Sequence, residues 1–205
     1  LNNLHFLEGW MFKYHPQHMK LKELIKNNKF GKSRYFFSQF TYPVPPAGDI
    51  RLNPNLNGGV FHDSIGYPLA ASLMILDEKP ISVFAAVSKN NIHGVDDFVK
   101  MQLEFQNNIY VDLVAGFGMQ YRSIYSLLCE NGLATVERAF AINENMSATI
   151  TIETNDGKNT IKIKPANQFK MMIDNFCQDI FNQCIGYHEE SIMLQQKIID
   201  AALIS

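Results

Sequence analysis

Residues 81–164 constrain the fold more than any other stretch. They read as strand-forming segments at 81–87, 97–105, 110–117, 122–129, 132–140, 147–153 and 160–164, separated by short polar turns. Strands that follow one another without intervening helices cannot make the crossovers of a parallel βαβ series. Asn107-Asn108 and Asn155-Asp156-Gly157 tolerate the left-handed backbone of tight hairpins, so most neighbouring strands are expected to pair antiparallel. Helical patterns flank the block on both sides. The expected class is α+β: an open, mostly antiparallel mixed sheet with helices packed on one face.

Before the strand block, apolar alternation over residues 4–12 suits a short buried strand, and Pro16 sits where a first helical turn accepts it. A helix from Pro16 to about Asn28 would bury Met19, Leu21, Leu24 and Ile25 and expose Lys20, Lys22, Glu23 and Lys26. Gly31 ends it. The aromatic run from Arg34 to Tyr42 then suits a strand. Residues 43–57 hold four prolines and Gly48 and must be irregular; a loop of this length within a domain is more often functional than idle. Gly58-Gly59 opens a helix running to about Leu76. Paired glycines there let another backbone or a ligand come close, and the free N–H groups favour negative charge. After the strands, residues 166–185 place Phe169, Met172, Ile173, Phe176, Cys177 and Ile180 on one helical face, and a final helix follows from about Glu189.

A chain of 205 residues suits a single domain with a sizeable core, and a net charge of -2 gives no general attraction to nucleic acid or an anionic membrane. No apolar run approaches the roughly 18 residues that cross a bilayer. The first residues lack the order of a signal peptide, so a cytoplasmic protein is expected. Leu1 is not a methionine and the opening already alternates, so the chain is expected to be a piece of a larger protein. Cys129, Cys177 and Cys184 are odd in number without CxxC spacing and are expected to be buried free thiols. His15 and His18 lack an acidic residue to complete a metal triad, and His93 and His188 are isolated, so no metal site is expected. No GxGxxG follows a strand, which leaves the chain without a complete dinucleotide-binding unit. A sheet face carrying Tyr35 to Tyr42 would be costly to expose, so a homo-oligomer formed through the sheet is expected.

Asp63 and Tyr67 are four residues apart and would share one helical face, with Gly66 leaving space between them. A carboxylate beside a phenol can exchange a proton with a substrate hydroxyl or carbonyl; it can equally be a tyrosine hydroxyl satisfied by a neighbouring acid. If residues 4–12 are a strand that continues, Met11, Lys13 and His15 lie on one side of it. Lys13 then faces either a substrate phosphate or carboxylate or plain solvent, and His15 either contacts substrate or caps the helix beginning at Pro16. His62 either reaches the pocket or packs on the sheet.

The run Glu8-Gly9-Trp10-Met11-Phe12-Lys13-Tyr14-His15-Pro16-Gln17, the turn at Gly31-Lys32, and Gly58-Gly59 through Tyr67-Pro68 resemble, in order and spacing, the second domain of the glucose-fructose oxidoreductase, inositol dehydrogenase and rhizopine-catabolism family. The resemblance covers nearly the whole chain and implies a dihydrodipicolinate-reductase-like C-terminal domain that binds substrate and dimerises. A Rossmann domain carrying NAD or NADP would precede it, absent from these residues. It implies Tyr67 as the proton donor beside the reacting carbonyl and Asp63 as its carboxylate partner. Lys13, His15, Arg51 and His62 become substrate contacts, and Gly58 and Gly59 possible cofactor contacts. Tyr67 together with the Ile50-Arg51-Leu52-Asn53-Pro54 loop looks most like members that reduce keto groups of nucleotide-linked sugars. The family's catalytic lysine belongs to a Glu-Lys-Pro motif in the Rossmann half. Here Glu78-Lys79-Pro80 follows the active-site helix and reads as a surface turn. The implied function is that of an NAD(P)-dependent oxidoreductase acting on a sugar or sugar nucleotide, inactive as this chain alone. The other reading is a standalone sugar-binding or assembly domain that keeps the fold without catalysis.

Overall fold

The computed structural model describes residues 5–27, 30–89, 92–183 and 187–204. A single 3-10 turn at Met11–Tyr14 leads into α1, Pro16–Lys26. β1, Ser33–Tyr42, is followed by the proline-rich loop, then α2, Val60–Asp63, and α3, Gly66–Leu76. β2 (Pro80–Lys89), β3 (Asp96–Phe105), β4 (Ile109–Phe117), β5 (Arg122–Cys129), β6 (Gly132–Glu137), β7 (Ala148–Thr154) and β8 (Gly157–Ile163) come next. Two helices close the chain, α4 (Gln168–Phe181) and α5 (Tyr187–Ala202).

Among the described residues the strands form one 8-stranded sheet in the order β2-β3-β4-β1-β5-β6-β7-β8. β1 runs parallel to β4, whereas the pairs β1–β5, β2–β3, β3–β4, β5–β6, β6–β7 and β7–β8 are antiparallel. The expected α+β class and mixed, mostly antiparallel sheet are what the chain adopts. Insertion of β1 between β4 and β5 leaves one long crossover, and α2 and α3 occupy it.

Alternation divides the sheet into two faces. Phe36, Val99, Met101, Leu113, Tyr125, Leu127 and Ile150 are fully buried on the face covered by helices. There α2 packs on β3 and β4, α3 on β1 and β4, and α1 on β7. The other face carries half-buried Tyr35 and Phe37 and exposed Phe84, Tyr110 and Leu128.

Several expectations change. The expected strand at 4–12 is absent over its described part: Trp10 N–H donates to Glu8 O and Met11 N–H to Gly9 O, local turns that leave nothing for a ladder. Lys13 and His15 therefore do not alternate along a strand. In α1 the buried stripe is Gln17, His18, Leu21 and Leu24, and Met19 is 60% exposed. The helix is rotated because His18 finds buried partners in Tyr125 Oη at 2.7 Å and Ala139 O at 3.1 Å. On α4, Phe169 and Ile173 are 55% and 56% exposed; this helix packs mainly on the 3-10 turn. Cys129 is buried, Cys177 is exposed, and Cys184 and the expected helix end at Asn28 lie outside the described residues.

The helix expected from Gly58 to Leu76 breaks at Ser64-Ile65. Pro68 has no N–H to give to Ser64 O, and its ring crowds that carbonyl. Ser64 O instead accepts from Tyr67 N–H at 3.2 Å, and Ile65 N–H reaches back five residues to Val60 O at 2.9 Å. The break carries the candidate site.

Candidate active site

The loop before α2 is held by its own backbone. Gly58 N–H donates to Asn53 O at 3.0 Å and Gly59 N–H to Arg51 O at 2.8 Å. A Cβ on Gly58 would stand 2.7 Å from Arg51 O, and one on Gly59, whose φ is +107°, 2.2 Å from Asp96 Oδ1. The close approach anticipated at these glycines is made by backbone and by Asp96. The carboxylate of Asp96 also accepts Phe61 N–H at 2.6 Å, so a side chain from β3 already occupies the anion-favouring start of α2. Gly58 and Gly59 thus have their amides engaged within the chain.

At the helix break, Asp63 finds its hydrogen-bond neighbours in Ser64 and Tyr42. Its Oδ2 accepts from Ser64 Oγ at 2.7 Å, and Tyr42 Oη stands 3.4 Å from the same oxygen and 2.7 Å from Ser64 Oγ. The Arg51 guanidinium sits over the Tyr42 ring, 5.3 Å from its centroid, and is itself gripped by both oxygens of Asp49 at 2.8 and 2.7 Å. That bidentate pair holds the Asp49 carboxyl at about 2, well below the usual carboxylate range.

Tyr67 is set by aromatic packing. Trp10 meets it edge-on at 4.6 Å between centroids, and Phe40, Phe12 and Phe140 lie at 5.1, 5.9 and 5.9 Å. Burial pushes the phenol above its ordinary value and the Asp63 charge pushes the same way, while Arg51 opposes them. Tyr67 is therefore a protonated donor at neutral pH. Such a phenol can give a proton to an alkoxide and can take one back from an alcohol only if more positive charge is supplied.

The remaining expected contacts separate from this cluster. His15 is fully buried, its Nδ1 accepting Gln17 N–H at 3.3 Å, which makes it the cap of α1. Lys13 lines a cleft of about 760 Å³ between α3, α4 and α5, with Lys22, Asp77 and Glu190. Neither Asp63 nor Tyr67 is among the described residues lining that cleft. Burial lowers the Lys13 ammonium to about 8 against the opposing charge of Glu8. His62 is exposed on α2 beside the Phe61 ring and does not pack on the sheet. Glu78 and Lys79 form the turn between α3 and β2 and stand at the Lys13 cleft. Sequence reasoning missed Tyr42, Ser64 and Trp10 as site components. Gly66 carried a signal for the last, because a Cβ there would meet the Trp10 indole at 2.6 Å.

Residues 18–135 match the GFO/IDH/MocA C-terminal domain. A dTDP-3,4-didehydro-2,6-dideoxy-alpha-D-glucose 3-reductase from Saccharopolyspora spinosa is 30% identical over 87% of this chain and 54% of its own length. An enzyme of the same name from Streptomyces antibioticus is 27% identical over 83% of this chain and 52% of its own. The chain spans about half the length of these curated relatives. Among solved structures, the 3-ketoreductase KijD10 from Actinomadura kijaniata, in complex with NADP and TDP-benzene, superposes with a TM-score of 0.89 at 24% identity, covering 98% of this chain and 62% of that one. On the matched residues and these relatives together, the chain belongs to the GFO/IDH/MocA oxidoreductase family and carries its C-terminal domain fold.

Proposed function

We propose that this chain is the substrate-binding domain of a cytoplasmic NADP-dependent reductase that acts on a keto group of a nucleotide-linked sugar, and that Tyr67 is its general acid. The observation that carries this reading is the Tyr67 phenol, kept protonated by burial and by Asp63 and packed by Trp10 and Phe40. Relatives named as reductases of a dTDP-linked keto sugar support the substrate class. Hydride arriving at a ketone carbon leaves an alkoxide on its oxygen, and Tyr67 Oη gives that oxygen its proton. Asp63 keeps the phenol protonated until then, and Arg51 stabilises the phenolate left behind.

Arg51 and the exposed His62 stand as substrate contacts around the cluster, and Lys13 as a contact of the neighbouring cleft. The hydride source is assigned to a nucleotide-binding domain outside this chain, so the chain alone turns nothing over. The sheet face with Tyr35, Phe37, Phe84 and Tyr110 is the assigned surface for a second copy.

The full-length protein is to be assayed with NADPH and a dTDP-linked 3-keto sugar. Tyr67→Phe is expected to lower kcat by about 100-fold or more, the scale of a lost general acid. Unchanged turnover in that variant would remove Tyr67 from the chemistry and overturn the reading.

A further inference from the structure

The proton donor assigned above needs its proton free for substrate, yet a carboxylate stands on the neighbouring turn. Among the described residues, the Tyr42 and Ser64 hydroxyls approach the same oxygen of that carboxylate. Asp63 Oδ2 accepts from the Ser64 hydroxyl at 2.7 Å, and Tyr42 Oη stands 3.4 Å from the same oxygen. Ser64 has one proton and gives it to Asp63, so the 2.7 Å contact between Tyr42 and Ser64 has Tyr42 as donor. The direction of the chain is therefore fixed: Tyr42 O–H to Ser64 O–H to Asp63 carboxylate. Its far end is the Arg51 guanidinium over the Tyr42 ring, which Asp49 anchors in the loop.

Each link has a structural cause. Ser64 is fully buried because Pro68 breaks the helix there and turns its side chain inward. Tyr42 ends β1 on the face covered by helices, where Phe40 and Phe117 hold its ring at 5.5 and 6.5 Å. A hydroxyl that accepts a proton is itself the better donor, so the Tyr42 bond strengthens the one that Ser64 gives to the carboxylate.

We propose that Tyr42, acting through Ser64, is a positioning residue that ties Asp63 to the end of β1, so that the carboxylate acts on Tyr67 by charge alone and leaves the phenol proton for substrate. The inference rests on the role proposed for Tyr67. Without Tyr42, the Ser64 hydroxyl loses the donor that orients it toward the Asp63 carboxylate. The carboxylate so released turns to the Tyr67 phenol, which already feels its charge, and ties up the proton that the substrate requires. Arg51 over the same ring ties the proline-rich loop to this arrangement.

The test compares Tyr42→Phe, Ser64→Ala and Tyr67→Phe in the full-length protein by steady-state kinetics. In parallel, ring-carbon-labelled tyrosine NMR follows the Tyr67 titration, its resonance identified by its loss in Tyr67→Phe. Tyr42→Phe is expected to lower kcat by about tenfold with KM within about twofold, the pattern of a lost transition-state interaction. It should also move the Tyr67 titration to higher pH. Ser64→Ala is expected to do the same. An unmoved Tyr67 titration overturns the proposal, whether or not kcat falls, because a merely structural tyrosine leaves that proton where it was. Failure of the underlying reading shows separately, as turnover that survives Tyr67→Phe, and the NMR arm reads out even without turnover.

Discussion

Gly66 lies so close to Trp10 that a Cβ at position 66 would stand 2.6 Å from the indole Cη2 and 2.8 Å from Cζ2. The indole in turn meets the Tyr67 ring at 4.6 Å, edge to face. The glycine next to Tyr67 is thus required by the ring that orients it, and not by the backbone at that position.

Gly66→Ala is expected to destabilise the fold by about 1–3 kcal/mol, the usual range for overpacking. Trp10 is the single tryptophan, so its fluorescence reports the displaced indole directly. Urea unfolding followed at that wavelength checks both effects; an unshifted spectrum with unchanged stability would show that the indole gives way freely.

Asp96 closes the start of α2 by accepting Phe61 N–H at 2.6 Å. Asp96→Ala should cost about 1–2 kcal/mol, as for other lost caps. Asp96→Asn keeps a side-chain oxygen acceptor and should cost less. Equal losses in the two variants, measured by denaturant midpoint, would mean that the cap bond is not what Asp96 contributes.

His18 couples stability to pH. Full burial holds its imidazole at about 3, with nearby His15 lowering it further and Ala139 O opposing. The carbonyl can only accept, so Nε2 carries the proton and Nδ1 takes the Tyr125 hydroxyl at 2.7 Å. The folded value lies below the unfolded one, so the stabilisation is complete above about 6.5 and is lost as pH falls toward 3. Loss should approach about 1.4 kcal/mol per pH unit. Urea midpoints between pH 7.5 and 5 should fall in the native protein and fall less in His18→Gln, where the similarly lowered His15 leaves a residual slope. Parallel slopes would assign the effect elsewhere.

Arg51→Gln removes the one effect that lowers the Tyr67 phenol among those acting on it. The Tyr67 titration is expected to move up, and the variant should bind an anionic nucleotide-sugar more weakly, by about tenfold in KM if the guanidinium meets a phosphate. NMR titration and substrate saturation read the two effects independently. A raised KM with an unmoved phenol would place Arg51 on the substrate alone.

Much of the fold was legible because it rests on local rules. Alternation marked the strands, Asn107-Asn108 and Asn155-Asp156-Gly157 marked the β3–β4 and β7–β8 hairpins, and the motifs around Glu8 and Gly58 pointed to the family. The errors fell where a distant partner overruled a local pattern. His18 rotated α1 because Tyr125 and Ala139 offered it buried bonds from more than 100 residues away.

By itself the sequence determined the class of fold, the hairpins, and the presence of an acid and a phenol near one another. Those follow from periodicity and turn chemistry, which act over a few residues. Only the tertiary structure decided which donors hold Asp63. The Tyr42–Ser64 bond joins residues 22 positions apart, and no spacing rule reaches across the loop between them. The break at Pro68 and the insertion of β1 into the sheet bring Tyr42 to Asp63, because backbone carbonyls and apolar rings must be satisfied by whatever packing places beside them.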